Sequence, residues 1–183
     1  MPHVSSRTPT PTNTAKPRRV ILSGCSSGGK STLLGALSLG GHATVPEPGR
    51  RVLTAGGPDP ERDPAGFGKA CIALALSDLE TSDAPLVFFD RGLLDAHLNL
   101  ASLGVPSGID PSRFSFHSNV LMAPPWPEIY VQDDARRHGL DAAIAEYEML
   151  VQGYSDLGYE VTVLPKTPVE DRLSFVGSVL GLP

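Results

Sequence analysis

Gly24-Cys25-Ser26-Ser27-Gly28-Gly29-Lys30-Ser31 matches the pattern G-x-x-x-x-G-K-[ST], and Thr32 extends its polar end. Glycines let a backbone curl until successive N–H groups converge on phosphate oxygens, and the positive end of a following helix adds to the attraction. In that geometry Lys30 reaches the β and γ phosphates of a nucleoside triphosphate and Ser31 holds Mg²⁺. The expected ligands are therefore ATP or GTP and magnesium, cradled by residues 24–32. Cys25 reads as a small residue tolerated in the loop, not as a nucleophile.

Asp90-Arg91-Gly92 follows the most hydrophobic run in the chain. A carboxylate there can bind Mg²⁺ or its water, and a guanidinium can clamp a phosphoryl or substrate anion through two parallel hydrogen bonds. A strand-ending surface ion pair is the alternative. Glu47 stands between Pro46 and Pro48, with Arg50 and Arg51 close behind. A carboxylate in so stiff a setting can take a proton from a hydroxyl acceptor; it can also simply open a helix as an acid favoured by the dipole. Arg136 and Arg137 lie in a polar segment between a proline cluster and Gly139, which reads as a lid near residues 127–140 or as a solvated loop. The expected catalytic set is Lys30, Glu47, Asp90, Arg91 and Arg136, with Ser31 and Asp90 on the metal. Glu47, Arg51, Arg91, Trp126 and Arg137 are expected to meet the substrate. Trp126, Phe114 and Phe116 could line an acceptor pocket or belong to the core. His42, His97, His117 and His138 show no ligand spacing and carry no assigned chemistry.

These residues need elements to hold them. Val20-Ile21-Leu22 is a buried-type strand, the loop follows, and Ser31 to Leu39 reads as a helix stopped by Gly40-Gly41. Ala43–Val45 is a second strand and residues 56–63 a surface loop. Asp63-Pro64 caps a helix running from Phe67 through Leu79. Pro85–Phe89, a continuous apolar run, is a third strand of the kind found in a parallel sheet covered on both faces. A helix from about Leu93 to Leu103 precedes a fourth strand, Asn119–Met122. Leu140, Ile144, Tyr147, Val151 and Tyr154 recur at helical spacing before Gly158 and a fifth strand, Glu160–Leu164. Thr167-Pro168-Val169-Glu170 has the form of a capping box opening a last helix through Leu180. Strands alternating with helices imply right-handed crossovers and an open parallel α/β sheet, whose ligands bind beyond the carboxyl ends of the strands.

Of 183 residues, 40% are hydrophobic and 19% charged, enough for one core. Residues 1–17, rich in Ser, Thr and Pro, are expected to be a disordered tail, leaving 18–183 as one domain. With a formal charge of -5 there is no basic field to gather nucleic acid or an anionic membrane. No apolar run approaches the roughly 18 residues of a spanning helix, and no apolar signal core opens the chain, so a cytoplasmic location is expected. Cys25 and Cys71 lack metal-type spacing and are read as reduced thiols.

The segments GCSSGGKSTLL, VPEPGRR, FFDRGLLDA, APPWPEIYVQDDARR and EYEMLVQGYSDLGYEVTVLPKTPVEDRLSF resemble the small bacterial single-domain "AAA domain" ATPases among the P-loop NTPases. That family is similar to nicotinamide riboside kinases and, more distantly, to deoxynucleoside kinases. The likeness covers about residues 19–180, and the late segment is its most family-specific part. It implies a three-layer α/β fold with five parallel strands in the order 2-3-1-4-5. It also implies that Glu47-Pro48 corresponds to the Glu-Pro pair whose glutamate is the base, and Asp90-Arg91 to the Asp-Arg pair after the third strand. Arg136 and Arg137 correspond to lid arginines. The arginine-finger and sensor patterns of ring-forming AAA machines are missing. The expected function is transfer of the γ-phosphoryl group from ATP·Mg²⁺ to a hydroxyl of a small metabolite, with nucleosides as one candidate class. The alternative is a nucleotide-binding switch whose output is a partner interaction.

Overall fold

The computed structural model describes residues 18–129 and 139–182. The segment 1–17 and residues 130–138, which hold Arg136, Arg137, His138 and most of the expected lid, lie outside the described residues. Five strands, β1 (Arg18–Gly24), β2 (Ala43–Val45), β3 (Leu86–Asp90), β4 (Asn119–Ala123) and β5 (Glu160–Val163), form one parallel sheet in the order β2-β3-β1-β4-β5. The helices are α1 (Lys30–Leu39), α2 (Pro48–Thr54), α3 (Pro64–Thr81), α4 (Leu93–Ser102), α5 (Leu140–Asp156) and α6 (Val169–Leu180).

Alternation along the strands sets the layers. Val20, Leu22, Phe88 and Leu121 point to one face and pack with Leu33, Leu37, Val176 and Leu180 of α1 and α6. Their neighbours point the other way: Val87 and Phe89 meet α3 and α4, while Ile21, Val120 and Met122 meet Leu94, Leu150 and Tyr154 of α4 and α5. Both faces of the central strands are thus covered, the condition that makes β3 a continuous apolar run. Because Leu22 lies beside both Asp90 and Leu121 in register, the ends of β1, β3 and β4 fall together at one edge.

Asp63 caps α3 as its sequence suggests, its carboxylate accepting from the Gly66 N–H at 2.8 Å. Two elements differ from the sequence reading. Residues 48–54 form a short helix, α2, with Pro48 in its first turn and only Pro48 and Val52 buried, too brief to print a 3.6-residue pattern. The capping box at Thr167 does not form. Helix α6 starts one residue later than a box requires, so Pro168 takes the cap position and the buried Thr167 hydroxyl has no partner among the described residues.

Candidate active site

Between β1 and α1 the chain turns through left-handed backbone at Gly24 (φ 110°), Ser27 (φ 59°) and Gly29 (φ 76°). A side chain at Gly24 would bring Cβ to 2.3 Å from the Ala123 carbonyl, so the loop can press on the end of β4, where the Cys25 N–H donates to Ala123 O at 2.9 Å. Cys25 is fully buried, its thiol 3.6 Å from Ala143 O in α5. Lys30 lies back over the loop, donating from Nζ to the carbonyls of Cys25 at 2.8 Å and Gly24 at 3.2 Å. Burial, helped by Arg91, pulls the Lys30 ammonium below the usual lysine range.

Ser31 Oγ donates to Asp90 Oδ2 at 3.2 Å across the β1–β3 edge. Asp90 is 2% exposed, and its Oδ1 has no partner among the described residues. Burial raises its carboxyl above the usual range. A serine hydroxyl and a carboxylate oxygen with free lone pairs suit Mg²⁺, which is commonly held by one or two carboxylates together with substrate phosphates.

Arg91 follows in a left-handed conformation (φ 59°), fixed by its N–H to Leu22 O at 2.8 Å. Its guanidinium is not left open as an anion clamp. Glu146 of α5 takes both terminal nitrogens at 2.6 and 3.1 Å, Gly24 O accepts at 2.9 Å, and Glu47 Oε1 lies 3.7 Å from Nε. Glu47 caps α2 by position only; its side chain instead meets Arg50 Nε at 3.2 Å and turns toward Arg91. These groups share a cavity of about 690 Å³ with Ser26, Ser27, Gly29, Lys30, Ser31 and Thr32 on the loop side. Leu53, Phe67, Leu100 and Leu103 supply its apolar wall.

A family model described as an AAA domain matches residues 19–172. The chain belongs to that family. Among solved structures it is similar to shikimate kinase from Acinetobacter baumannii in complex with shikimate, with a TM-score of 0.58, 14% identity and coverage of 91% of this chain and 94% of that one. Deoxyadenosine kinase from M. mycoides with bound dCTP gives a TM-score of 0.53, 14% identity and coverage of 90% and 98%. Shikimate kinase from Bacteroides thetaiotaomicron gives 0.56, 14%, 90% and 99%. At such identities the likeness concerns the fold, which is the α/β P-loop fold with the strand order expected above. No curated protein matches the sequence.

In this AAA domain, several residues expected at the substrate lie elsewhere. Arg51 pairs with Asp78 of α3 at 2.7 Å and is not on the cavity's wall; it borders an adjoining cleft with Leu34, Thr44 and Asp90, which shares Ser31, Glu47 and Arg50 with the cavity. Trp126 is absent from the cavity wall among the described residues; its ring lies 5.9 Å from the Arg172 guanidinium. Phe114 and Phe116 pack on the core around Val87 and Phe89, with Phe116 edge-on to Phe89. Conversely, the structure brings in residues that carried no assignment. Glu146 reaches the cavity from α5; burial raises its carboxyl, but the charge and hydrogen bonds of Arg91, together with Lys30 and Asn99, bring the net shift downward. Asp95, in the first turn of α4, is buried at the cavity floor, bonded by Ser23 Oγ and by Tyr154 OH at 2.7 Å. Spacing could have suggested neither, because their partners are remote in the chain. The signal in reach was the polar residue on an otherwise apolar helix face, Asp95 among Leu93, Leu94 and Leu98.

Proposed function

We propose that the protein is a phosphotransferase that moves the γ-phosphoryl group of ATP, or of GTP, to a hydroxyl group of a small metabolite. One observation carries this reading: the Glu47 carboxylate opens on the same cavity as Lys30 and Ser31, with an apolar-walled space beyond it that can hold an acceptor. The backbone N–H groups of the loop and Lys30 bind the polyphosphate, and Ser31 and Asp90 would hold Mg²⁺. Bound there, the ion would neutralise charge on the β and γ oxygens. Arg91 and Arg50 position Glu47 from two sides. Glu47 takes the acceptor's hydroxyl proton as the new O–P bond forms and the β–γ bridging P–O bond breaks, releasing the nucleoside diphosphate. Positioning and charge stabilisation do most of the work in such a transfer. Leu53, Phe67 and Leu100 make the acceptor side apolar, which disfavours water there and favours transfer over hydrolysis.

The test is a metabolite panel incubated with ATP·Mg²⁺ and read by mass spectrometry for the gain of one phosphoryl group, with Glu47→Gln beside the wild type. Glu47→Gln is expected to keep ATP·Mg²⁺ affinity and to lose transfer by roughly 10²- to 10⁴-fold, the usual worth of a general base. Transfer at the wild-type rate would remove Glu47 from the mechanism. Tight nucleotide binding with no phosphorylated product from any acceptor would favour the switch reading.

A further inference from the structure

The most family-specific stretch of the sequence, the late segment ending in VEDRLSF, has no part in the mechanism above, yet one of its side chains touches the phosphate loop. Arg172 of α6 is 3% exposed. Its Nη2 donates to Gly28 O at 3.1 Å and its Nη1 to Gly29 O at 3.2 Å, contacts made across more than 140 residues of chain. Among the described residues no carboxylate pairs with it, and its Nε has no partner. Among the described residues its partners are thus two neutral carbonyls and the Trp126 ring, 5.9 Å away, and a buried guanidinium without an anion beside it is costly unless something offsets the charge.

The two carbonyls explain what it does. In a trans peptide the C=O of one residue and the N–H of the next point in opposite directions within one rigid plane. Anchoring Gly28 O therefore aims the Gly29 N–H away from Arg172; Gly29 O also accepts from the Leu33 N–H at 3.2 Å in the first turn of α1, so for the Lys30 N–H Arg172 reinforces a plane that the helix already holds. Gly29 and Lys30 both border the cavity on its loop side. Neither glycine has a side chain with which to set these planes itself. Gly29 suits this turn because its backbone is left-handed at φ 76°, and with no Cβ it leaves room for the Arg172 guanidinium against the loop. The guanidinium also neutralises two carbonyl dipoles that would otherwise present negative charge near an incoming phosphate.

We propose that Arg172 is a positioning residue of the phosphate site: it locks the peptide planes after Gly28 and Gly29 so that their N–H groups face the polyphosphate, and the ligand's negative charge balances its own. This rests on the phosphate-loop reading but not on the identity of the acceptor or on Glu47. The competing role is a platform for the nucleotide base, since Trp126 lies over the guanidinium. Tripolyphosphate, which has no base, separates the two.

Full-length wild type, Arg172→Gln and Arg172→Lys are titrated by calorimetry with ADP and with tripolyphosphate in the presence of Mg²⁺, after circular dichroism has shown each to be folded. Arg172→Gln is expected to weaken both ligands by a similar factor, on the order of tenfold, as for the loss of charge-assisted hydrogen bonds. Arg172→Lys keeps the charge and should fall between wild type and Gln; it also serves alone if Arg172→Gln does not fold. Unchanged tripolyphosphate affinity in the variants overturns the proposal, and if ADP alone is weakened the residue serves the base. A wild type that binds neither ligand overturns the phosphate-loop reading itself, and this inference with it.

Discussion

Lys30 and Asp90 show how a site residue can be held against its own solvation. The Lys30 ammonium is buried, and two loop carbonyls take two of its three donors, which holds the charge beside the loop where phosphate would lie. Lys30→Ala should lower ATP affinity by about tenfold or more, while the melting temperature stays close to that of wild type, because the variant also relieves the desolvation of a buried cation. Calorimetry and a thermal melt on the same preparation check both halves. Asp90 pays a similar penalty with the opposite charge. Its carboxyl is raised in the folded protein, chiefly by burial, so the folded state binds a proton more readily than the unfolded chain. Stability from this group is therefore complete below the ordinary value of 3.8 and is lost as pH rises through the raised one. Asp90→Asn is expected to melt higher than wild type at neutral pH, with the gap closing in acid, and to lose part of its Mg²⁺ dependence in nucleotide binding. A variant that melts lower at pH 7 would show that the carboxylate is better solvated than its 2% exposure suggests.

At the scale of elements, α4 and α5 matter more to the site than their sequences announce. Asp95 joins the end of β1, through Ser23, to the last turn of α5, through Tyr154, and so fixes both the strand that feeds the phosphate loop and the helix that carries Glu146. Close packing assists: Gly153 of α5 lies where a Cβ would come 2.6 Å from the Leu98 side chain of α4, and Gly68 of α3 stands in the same relation to Leu100. Tyr154→Phe keeps the ring, which is fully buried, but leaves one oxygen of a buried carboxylate unbonded. The expected loss is about 1–3 kcal/mol, the cost of one unsatisfied buried polar group. Urea denaturation with an unchanged m-value measures it.

Across the whole molecule, the pair Arg91–Glu146 fastens α5 to the carboxyl edge of the sheet. Glu146 has a net downward shift in the folded protein, so its stabilising effect is present above the ordinary value of 4.5 and disappears as pH falls through the lower folded value. The difference in melting temperature between wild type and Glu146→Gln should therefore be full near neutral pH and shrink below about pH 4.5. A gap that is constant with pH would mean that the variant acts through packing and not through charge. Asp95 works in the reverse sense, since burial raises its carboxyl, so wild-type acid unfolding reflects both groups and only the paired comparison isolates Glu146.

The sequence alone determined the five strands, their alternation with helices and the phosphate loop, because each depends on neighbours within a few residues: apolar runs, turn glycines, and a Gly/Ser-rich stretch joining a strand to a helix. It also placed Glu47 and Asp90 at strand ends, where the structure finds them. Tertiary structure alone decided their partners. Glu146 lies 55 residues from Arg91, Tyr154 lies 59 from Asp95, and Arg172 lies 144 from Gly28, so nothing in local spacing could pair them. Arg50 and Arg51 make the same point at short range. They are adjacent in sequence, but once residues 48–54 become a helix, successive side chains diverge by about 100°, and Arg50 reaches Glu47 while Arg51 turns to Asp78. Which polar groups meet is set by the rotation of each helix on the sheet, and that rotation is chosen by the packing of the whole core.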